Sequence, residues 1–138
     1  MSQWVLDASL VLGWYLKDED DRTYNLDVLA GLKANEAIVP FLWAYEVCIA
    51  LTMACRRKRV SEPEIHTILD SLRTLPITVD APDPDRVMQL PALALKQQLT
   101  VYDAAYLELA IRLNLPMATS DGAIKRAMSG CGVKLVQP

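Results

Sequence analysis

The chain has 138 residues, of which 52% are hydrophobic, so it is long enough for one domain with a sizeable core. Its formal net charge of −3 at pH 7 argues against nucleic-acid capture by the surface as a whole. The three cysteines include no C-x-x-C pair, and Cys48 and Cys55 stand seven apart in a helical pattern, so we expect these two to be core thiols in a reducing cytoplasm. The apolar run at 5–16 is too short to cross a membrane.

Short apolar runs typical of buried strands alternate along the chain with apolar residues at helical spacing. In chain order, the predicted elements are a strand at 3–7, a short helix from Ala8 or Ser9, a helix over about 22–34, a strand at 37–40, a helix over about 41–58, a helix opened by Ser61, a strand at 77–79, a helix over about 83–99, a helix at 103–114, a strand at 117–119, a helix from Asp121 to about Met128 and a strand at 133–136. This alternation predicts an α/β fold, with a parallel sheet covered by helices on both faces. No repeat or linker interrupts it, so we expect a single domain over residues 1–138.

Two further local signals concern the helix that ends near residue 58 and the helix that follows it. Ser61 and Glu64 have the spacing of a capping box, which predicts a helix start. The basic cluster at 56–59 either complements the carboxyl end of its helix or steers RNA phosphates. We favour the first interpretation, because it needs no ligand.

Four carboxylates stand where burial would be costly. Asp7 ends the first predicted strand, and Asp121 follows the apolar run that predicts the fourth. Asp103 opens an apolar helical pattern, and Glu46 lies inside another. Ligands of parallel sheets bind beyond the carboxyl ends of the strands, so Asp7 and Asp121 are expected at one edge. Hard oxygen ligands that converge in this way indicate a site for Mg²⁺ or Mn²⁺.

Each of these acids also has a purely structural interpretation. Asp103 and Asp121 could be helix N-caps, Glu46 could lie on a polar stripe in solvent, and Asp7 could hydrogen-bond the start of the next helix. Together these interpretations require four separate coincidences. A metal-dependent site that cleaves phosphodiesters is therefore favoured.

The segments that carry these acids resemble the four motifs of PIN-domain ribonucleases, and most closely those of the VapC-type toxins of type II toxin–antitoxin systems. The segments are Val5–Ser9, Pro40–Val47, Leu99–Leu107 and Ala118–Asp121. The resemblance covers essentially the whole chain, in order. It implies a PIN-like three-layer α/β/α fold around a mostly parallel sheet of about four or five strands.

The resemblance also implies an active site and its partners. The catalytic and metal-binding residues would be Asp7, Glu46, Asp103 and Asp121, with supporting hydroxyls from Ser9 and Thr119. The implied activity is that of an endoribonuclease that depends on Mg²⁺ or Mn²⁺. The implied partners are an RNA substrate, a second copy of the chain in a homodimer, and a cognate antitoxin protein that covers the active site.

Other functions remain open at this stage. A PIN nuclease with a housekeeping role in RNA processing would carry the same residues, and a non-enzymatic regulatory subunit could use a metal site only to organise an interface. An aspartyl phosphotransferase would need a second acid where Ser9 stands. A phosphate-receiver module could use Asp80 as acceptor, but it would leave Glu46 and Asp103 without a role.

Overall fold

A four-stranded parallel sheet forms the centre of the computed structural model, which describes residues 2–138. Its strands are β1 (Gln3–Leu6), β2 (Glu36–Val39), β3 (Ile77–Val79) and β4 (Met117–Ala118). Their order across the sheet is β3-β2-β1-β4, and all three pairs are parallel. In this register Val5 lies opposite Ile38 on one side and Met117 on the other. The predicted parallel sheet is confirmed.

Helices cover both faces of this sheet. They are α1 (Val11–Tyr15, after a 3₁₀ turn at Ala8–Leu10), α2 (Thr23–Gly31), α3 (Leu42–Arg56), α4 (Glu62–Arg73), α5 (Pro84–Met88), α6 (Leu90–Gln97), α7 (Val101–Leu113) and α8 (Gly122–Cys131). The chain steps from β1 to β2 to β3 in one direction and then returns past β1 to β4. Right-handed crossovers therefore put α1–α4 on one face and α5–α7 on the other, and α8 packs against α7. The predicted three-layer α/β/α fold is confirmed.

The central strands are buried on both faces, as expected for a parallel sheet between two helical layers. Val5, Leu6, Val39 and Met117 have no exposed surface. This explains why the strands read as continuous apolar runs without polar alternation. A polar residue at the end of such a strand lies at the edge of a dry core.

The predicted last strand, 133–136, is reduced to a single bridge between Leu135 and Met117. The backbone N–H of Met117 donates to the carbonyl of Lys134, and that of Val136 donates to the carbonyl of Met117, each at 2.9 Å. The reason is the length of β4, which has two residues and offers little edge for a fifth strand.

Several helix boundaries differ from the sequence prediction, since α2 ends at Gly31 instead of near residue 34 and α8 ends at Cys131 instead of near Met128. Two further differences have an evident local cause. The helix expected over 83–99 is divided into α5 and α6 at Gln89, because Pro91 lacks the N–H that a continuous helix would need. The helix expected at Asp103 begins at Val101, with Thr100 as its N-cap. Asp103 therefore lies in the first turn of α7.

The turn between α3 and α4 fits its sequence signals. The capping box is present: the N–H of Glu64 donates to Oγ of Ser61 at 3.2 Å, and the Ser61 N–H donates back to the Glu64 carboxylate at 3.4 Å. Arg56 lies in the last turn of α3, where a cation complements the helix dipole. Arg59 pairs with Asp18 and Glu19 at 2.9 and 2.8 Å, so it ties down the acidic loop before α2.

Some apolar side chains remain on the surface. Phe41, Tyr45, Ile49 and Met53 form an exposed stripe at spacing four, from the N-cap of α3 to near its carboxyl end, which we call the α3 stripe. Within residues 2–138, no helix is long and apolar enough to span a bilayer.

The expectation of core thiols is wrong for Cys48, which is exposed. Cys55 and Cys131 are partly buried, and none of the three cysteines forms a disulfide in the described structure.

The segment that follows β1 is held by a close approach of α1 and α2 at Gly13. A Cβ atom on Gly13 would overlap Nδ2 of Asn25. That amide donates to the carbonyl of Leu10 at 3.3 Å, and the indole of Trp14 donates to the Asn25 carbonyl at 2.7 Å. The absence of a side chain at Gly13 thus lets α2 pack closely against the segment that follows Asp7.

We expect Gly13→Ala to lower the free energy of unfolding by about 1–3 kcal/mol, because the added methyl displaces Asn25. Urea denaturation followed by circular dichroism measures this. The control is Gly130→Ala in α8, where the nearest atom to a new Cβ is 4.0 Å away. That change should be neutral or stabilise by up to about 1 kcal/mol. Equal losses in the two variants would contradict the role given to Gly13.

Candidate functional site

The topology opens a crevice between the carboxyl ends of β1 and β4. The chain leaves β1 towards the face of α1 and α2, and it leaves β4 towards α8 on the opposite face. Such a switch point is where open parallel sheets bind ligands. Asp7 lies at this point, because its N–H donates to the carbonyl of Ala118 at 3.0 Å, one residue beyond the ladder of β1 and β4.

Asp7 is the most deeply buried acid of the four, with 4% of its surface exposed. Its Oδ2 accepts hydrogen bonds from Oγ of Ser9 and Oγ1 of Thr119, both at 2.7 Å. Burial raises the pKa of the Asp7 carboxyl; the two hydroxyls lower it in part, and the charge of Asp121 raises it further. The carboxylate is therefore held in place in surroundings that favour its neutralisation.

Thr119 and Asp121 connect the end of β4 to this carboxylate. Oγ1 of Thr119 accepts from the N–H of Asp121 at 3.0 Å while it donates to Asp7. Oδ1 of Asp121 accepts from the N–H of Ile124 at 2.9 Å, so Asp121 is the N-cap of α8. The structural interpretation of Asp121 as a cap is thus correct. The capping residue still lies close enough to Asp7 for its charge to raise the pKa of that carboxyl.

Glu46 reaches the same region from α3. Its Oε1 accepts a hydrogen bond of 2.6 Å from the phenol of Tyr106 on α7, so the side chain is half-buried and fixed at one oxygen instead of free in solvent. Burial raises the pKa of Glu46, the Tyr106 hydrogen bond lowers it, and the charges of Asp7 and Asp103 raise it again.

Asp103 does not cap its helix. The N-cap is Thr100, whose Oγ1 accepts from the N–H of Asp103 at 3.1 Å, so the interpretation of Asp103 as an N-cap is wrong. Burial and then the charge of Asp121 raise the pKa of the partly buried Asp103 carboxyl, with a smaller contribution from Asp7. The cap orients the first turn of α7 and leaves this carboxylate available.

The four acids form one electrostatic group. Each of Asp7, Glu46 and Asp103 has its pKa raised by the charge of at least one other member. Within residues 2–138, the ion pairs of lysine and arginine involve other acids, and none of the four has a cationic partner. Crowded like charges without a counter-ion are unfavourable, so a bound cation would relieve a repulsion that the fold maintains.

The oxygens of the group suit a hard divalent cation. Both hydroxyls bind Oδ2 of Asp7 and the phenol binds Oε1 of Glu46, which leaves Oδ1 and Oε2 without a side-chain donor. Within the described chain, no three His, Cys, Asp or Glu side chains are arranged as a complete set of metal ligands. Mg²⁺ does not require one, because it usually binds through one or two carboxylates and keeps several waters.

Tyr106 is a residue of the site that the sequence motifs do not reveal. Its segment stands out only for Asp103, and a tyrosine in an apolar helix ordinarily packs in the core. The available signal was its spacing: Tyr106 stands three residues after Asp103, so both lie on one side of α7.

Known proteins resemble this chain in sequence and in fold. Residues 4–128 match the model of the PIN domain family. Ribonuclease VapC1 from Mycobacterium tuberculosis is 33% identical over 114 residues, which cover 80% of this chain and 83% of the relative.

Solved structures share the fold. PAE2754 from Pyrobaculum aerophilum has a TM-score of 0.69 at 22% identity, covering 94% of this chain and 82% of that one. The VapBC2 complex from Rickettsia felis, solved with a DNA fragment of its own promoter, has a TM-score of 0.64 at 16% identity, and 97% of each chain is covered. FitAcB from Neisseria gonorrhoeae also has a TM-score of 0.64, at 17% identity, and the match covers 97% of this chain and 96% of that one.

We expect Asp7→Asn to raise the thermal midpoint of the protein in EDTA at pH 7. The folded-state pKa of Asp7 is raised above its ordinary value of 3.8, so the folded chain binds the proton more tightly than the unfolded chain. The free energy of unfolding therefore falls as pH rises from that value through the folded-state pKa, and the amide removes this loss.

The gain should shrink when the pH is lowered below about 4, where wild-type Asp7 is protonated in both states. Differential scanning calorimetry from pH 3 to pH 8 (roughly the range in which Asp titrates) measures it. Asp27→Asn, at an exposed acid on α2, is the control and should leave the midpoint unchanged. A lower midpoint for Asp7→Asn at pH 7 would contradict the interpretation of Asp7 as an uncompensated buried charge.

Proposed function

The chain belongs to the PIN-domain family, as a member of VapC type, and we propose that it is an endoribonuclease that hydrolyses RNA phosphodiester bonds with Mg²⁺ or Mn²⁺. One observation carries the proposal: a buried carboxylate at the switch point of the sheet is grouped with three further acids, and none of them has a cationic partner in the described chain. The ribonuclease name of the VapC1 relative supports the choice of RNA as substrate.

The ion would be held by Asp7, Glu46, Asp103 and Asp121, some of them through water. When bound, a divalent ion would supply an activated water and neutralise charge on the phosphate. Ser9 and Thr119 orient Asp7 through its Oδ2. The N–H of Ile124 orients Asp121 in the same manner. These contacts fix the direction of each carboxylate before RNA arrives, as a preorganised site requires.

Observed contacts of Ser9 and Asp80 disfavour two of the rival functions. Ser9, which stands where an aspartyl phosphotransferase needs its second acid, donates to Asp7 and accepts from Ser120. Asp80, the acceptor that a phosphate-receiver module would use, is engaged by Arg112 at 2.6 Å and Arg86 at 3.4 Å. The non-enzymatic and housekeeping alternatives carry the same acids, so activity measurements must separate them from the toxin.

We further propose that the protein is the toxin of a toxin–antitoxin pair, with an antitoxin protein as partner and a homodimer as its own assembly. The structural neighbours named VapBC2 and FitAcB support the antitoxin. The α3 stripe supports self-association, because exposed apolar side chains at helical spacing are unfavourable in a monomer. The next helix, α4, has no large exposed apolar side chain in the described structure.

Light scattering on the purified chain, without an antitoxin, checks the assembly. We expect a mass of about twice 15.4 kDa at micromolar concentration. Tyr45→Glu in the α3 stripe should lower that mass, because a charge is costly in an apolar interface. A monomer in the wild type would contradict the homodimer and leave the nuclease proposal intact.

The nuclease activity is tested with a mixture of total RNA and tRNA. We expect cleavage with Mg²⁺ or Mn²⁺ and none in EDTA. Asp103→Asn should reduce the rate by roughly 100-fold or more, as expected when a group that stabilises transition-state charge is lost. Asp27→Asn should cleave as wild type, which controls for net charge.

Cleavage that survives EDTA, or that Asp103→Asn leaves intact, would contradict a carboxylate–metal nuclease. A folded wild-type protein that binds Mn²⁺ and cuts no RNA under any condition would favour the non-enzymatic alternative. Where cleavage is observed, gel patterns of the fragments would separate a single specific target from general RNA processing.

A further inference from the structure

A side-chain hydrogen bond joins the two helical layers at the candidate site. Tyr106 on α7 is completely buried, and its hydroxyl donates to Oε1 of Glu46 on α3 at 2.6 Å. The two helices belong to opposite faces of the sheet. Among the side-chain hydrogen bonds of the described residues, this is the one that connects α3 with α7.

We propose that Tyr106 is a positioning residue, which holds Glu46 at one oxygen so that the other oxygen faces the divalent ion. The inference rests on the proposed metal-dependent function, and it assigns to Tyr106 a role that acts through Glu46. Tyr106 itself need not contact the ion or the RNA.

The charges around Glu46 explain why it needs to be held. Asp7 and Asp103 both repel its carboxylate. A glutamate side chain has three rotatable bonds, and it is only half-buried here, so without a restraint it would turn outwards to solvent. The phenol opposes this movement, because it donates a short hydrogen bond to the carboxylate. A hydrogen bond to a charged acceptor is stronger than one between two neutral groups.

The hydroxyl of Tyr106 is the part of the residue that this role explains. The buried ring would pack equally well as phenylalanine, whereas a buried hydroxyl is unfavourable unless it is hydrogen-bonded. In the described structure its side-chain partner is Glu46. Since the hydroxyl binds only Oε1, Oε2 stays available as a single ligand oxygen, which suits an ion that keeps several waters.

The test compares Tyr106→Phe with Tyr15→Phe. Tyr15 also hydrogen-bonds through its hydroxyl, to Oγ of Ser71 at 2.9 Å, but it does so between α1 and α4. Mn²⁺ titration followed by electron paramagnetic resonance of the free ion gives the Kd. We expect Tyr106→Phe to weaken Mn²⁺ binding about 10- to 100-fold, the range for loss of a group that orients a ligand, and Tyr15→Phe to leave it unchanged.

A double-mutant cycle shows whether Tyr106 acts through Glu46. In a Glu46→Ala background, Tyr106→Phe should weaken Mn²⁺ binding no further, because the carboxylate that it positions is absent. RNA cleavage by Tyr106→Phe should also recover towards the wild-type rate as Mn²⁺ is raised. A merely structural role would give the same loss in both backgrounds and no recovery at high metal.

The outcomes separate this inference from its premise. A wild-type protein that binds Mn²⁺ while Tyr106→Phe binds it equally well overturns the positioning role and leaves the proposed function standing. A wild-type protein that binds no Mn²⁺ overturns both. Equal weakening by Tyr15→Phe, or loss of the folded state in EDTA by Tyr106→Phe alone, would assign the hydroxyl to general packing and overturn the positioning role.

Discussion

The structure is organised around a carboxylate at the end of its central strand. β1 lies between β2 and β4 and has no exposed apolar surface at Val5 or Leu6, so Asp7 emerges directly from a dry core. A charge in that position is unfavourable unless polar groups and a cation compensate it. The hydroxyls of Ser9 and Thr119 provide the polar part, since both donate to Oδ2. The raised pKa of Asp7 shows that they do not offset the burial completely.

The other acids reach Asp7 from separate elements, and a different local device restrains each one. Asp121 is fixed by its own N-cap bond to α8, and Asp103 lies in a first turn that Thr100 caps. Glu46 is restrained across the sheet by Tyr106. Glu46 and Asp103 lie within helices and Asp121 caps one, so a loop movement cannot relieve their repulsion. The fold therefore keeps an unfavourable arrangement of charge, which is the expected property of a site that is completed by a ligand.

The sequence predicts what local pattern determines and fails where distant contacts decide. The strands at 3–7 and 77–79 are predictable because apolar runs and the residues that bound them are local. The acids at strand ends are predictable because burial makes them conspicuous. The last strand fails because its pairing depends on the length of β4, and the exposed Cys48 fails because helical spacing alone does not report which face of α3 is covered. Tyr106 was missed because its partner is sixty positions away.

The acidic composition is compatible with the proposed RNA substrate, because the four acids of the site would bind a divalent cation. A net charge of −3 repels a polyanion at long range, and the uncompensated acids repel a phosphate most strongly at the crevice itself. Without a cation, the place where cleavage would occur is thus unfavourable for RNA binding. A divalent ion reverses the local sign, so that metal binding would precede productive contact with the backbone. In the proposed function, the negative charge of Asp7, Glu46 and Asp103 would contribute to selectivity as well as to metal affinity, because it would oppose RNA binding at the site until the ion is present.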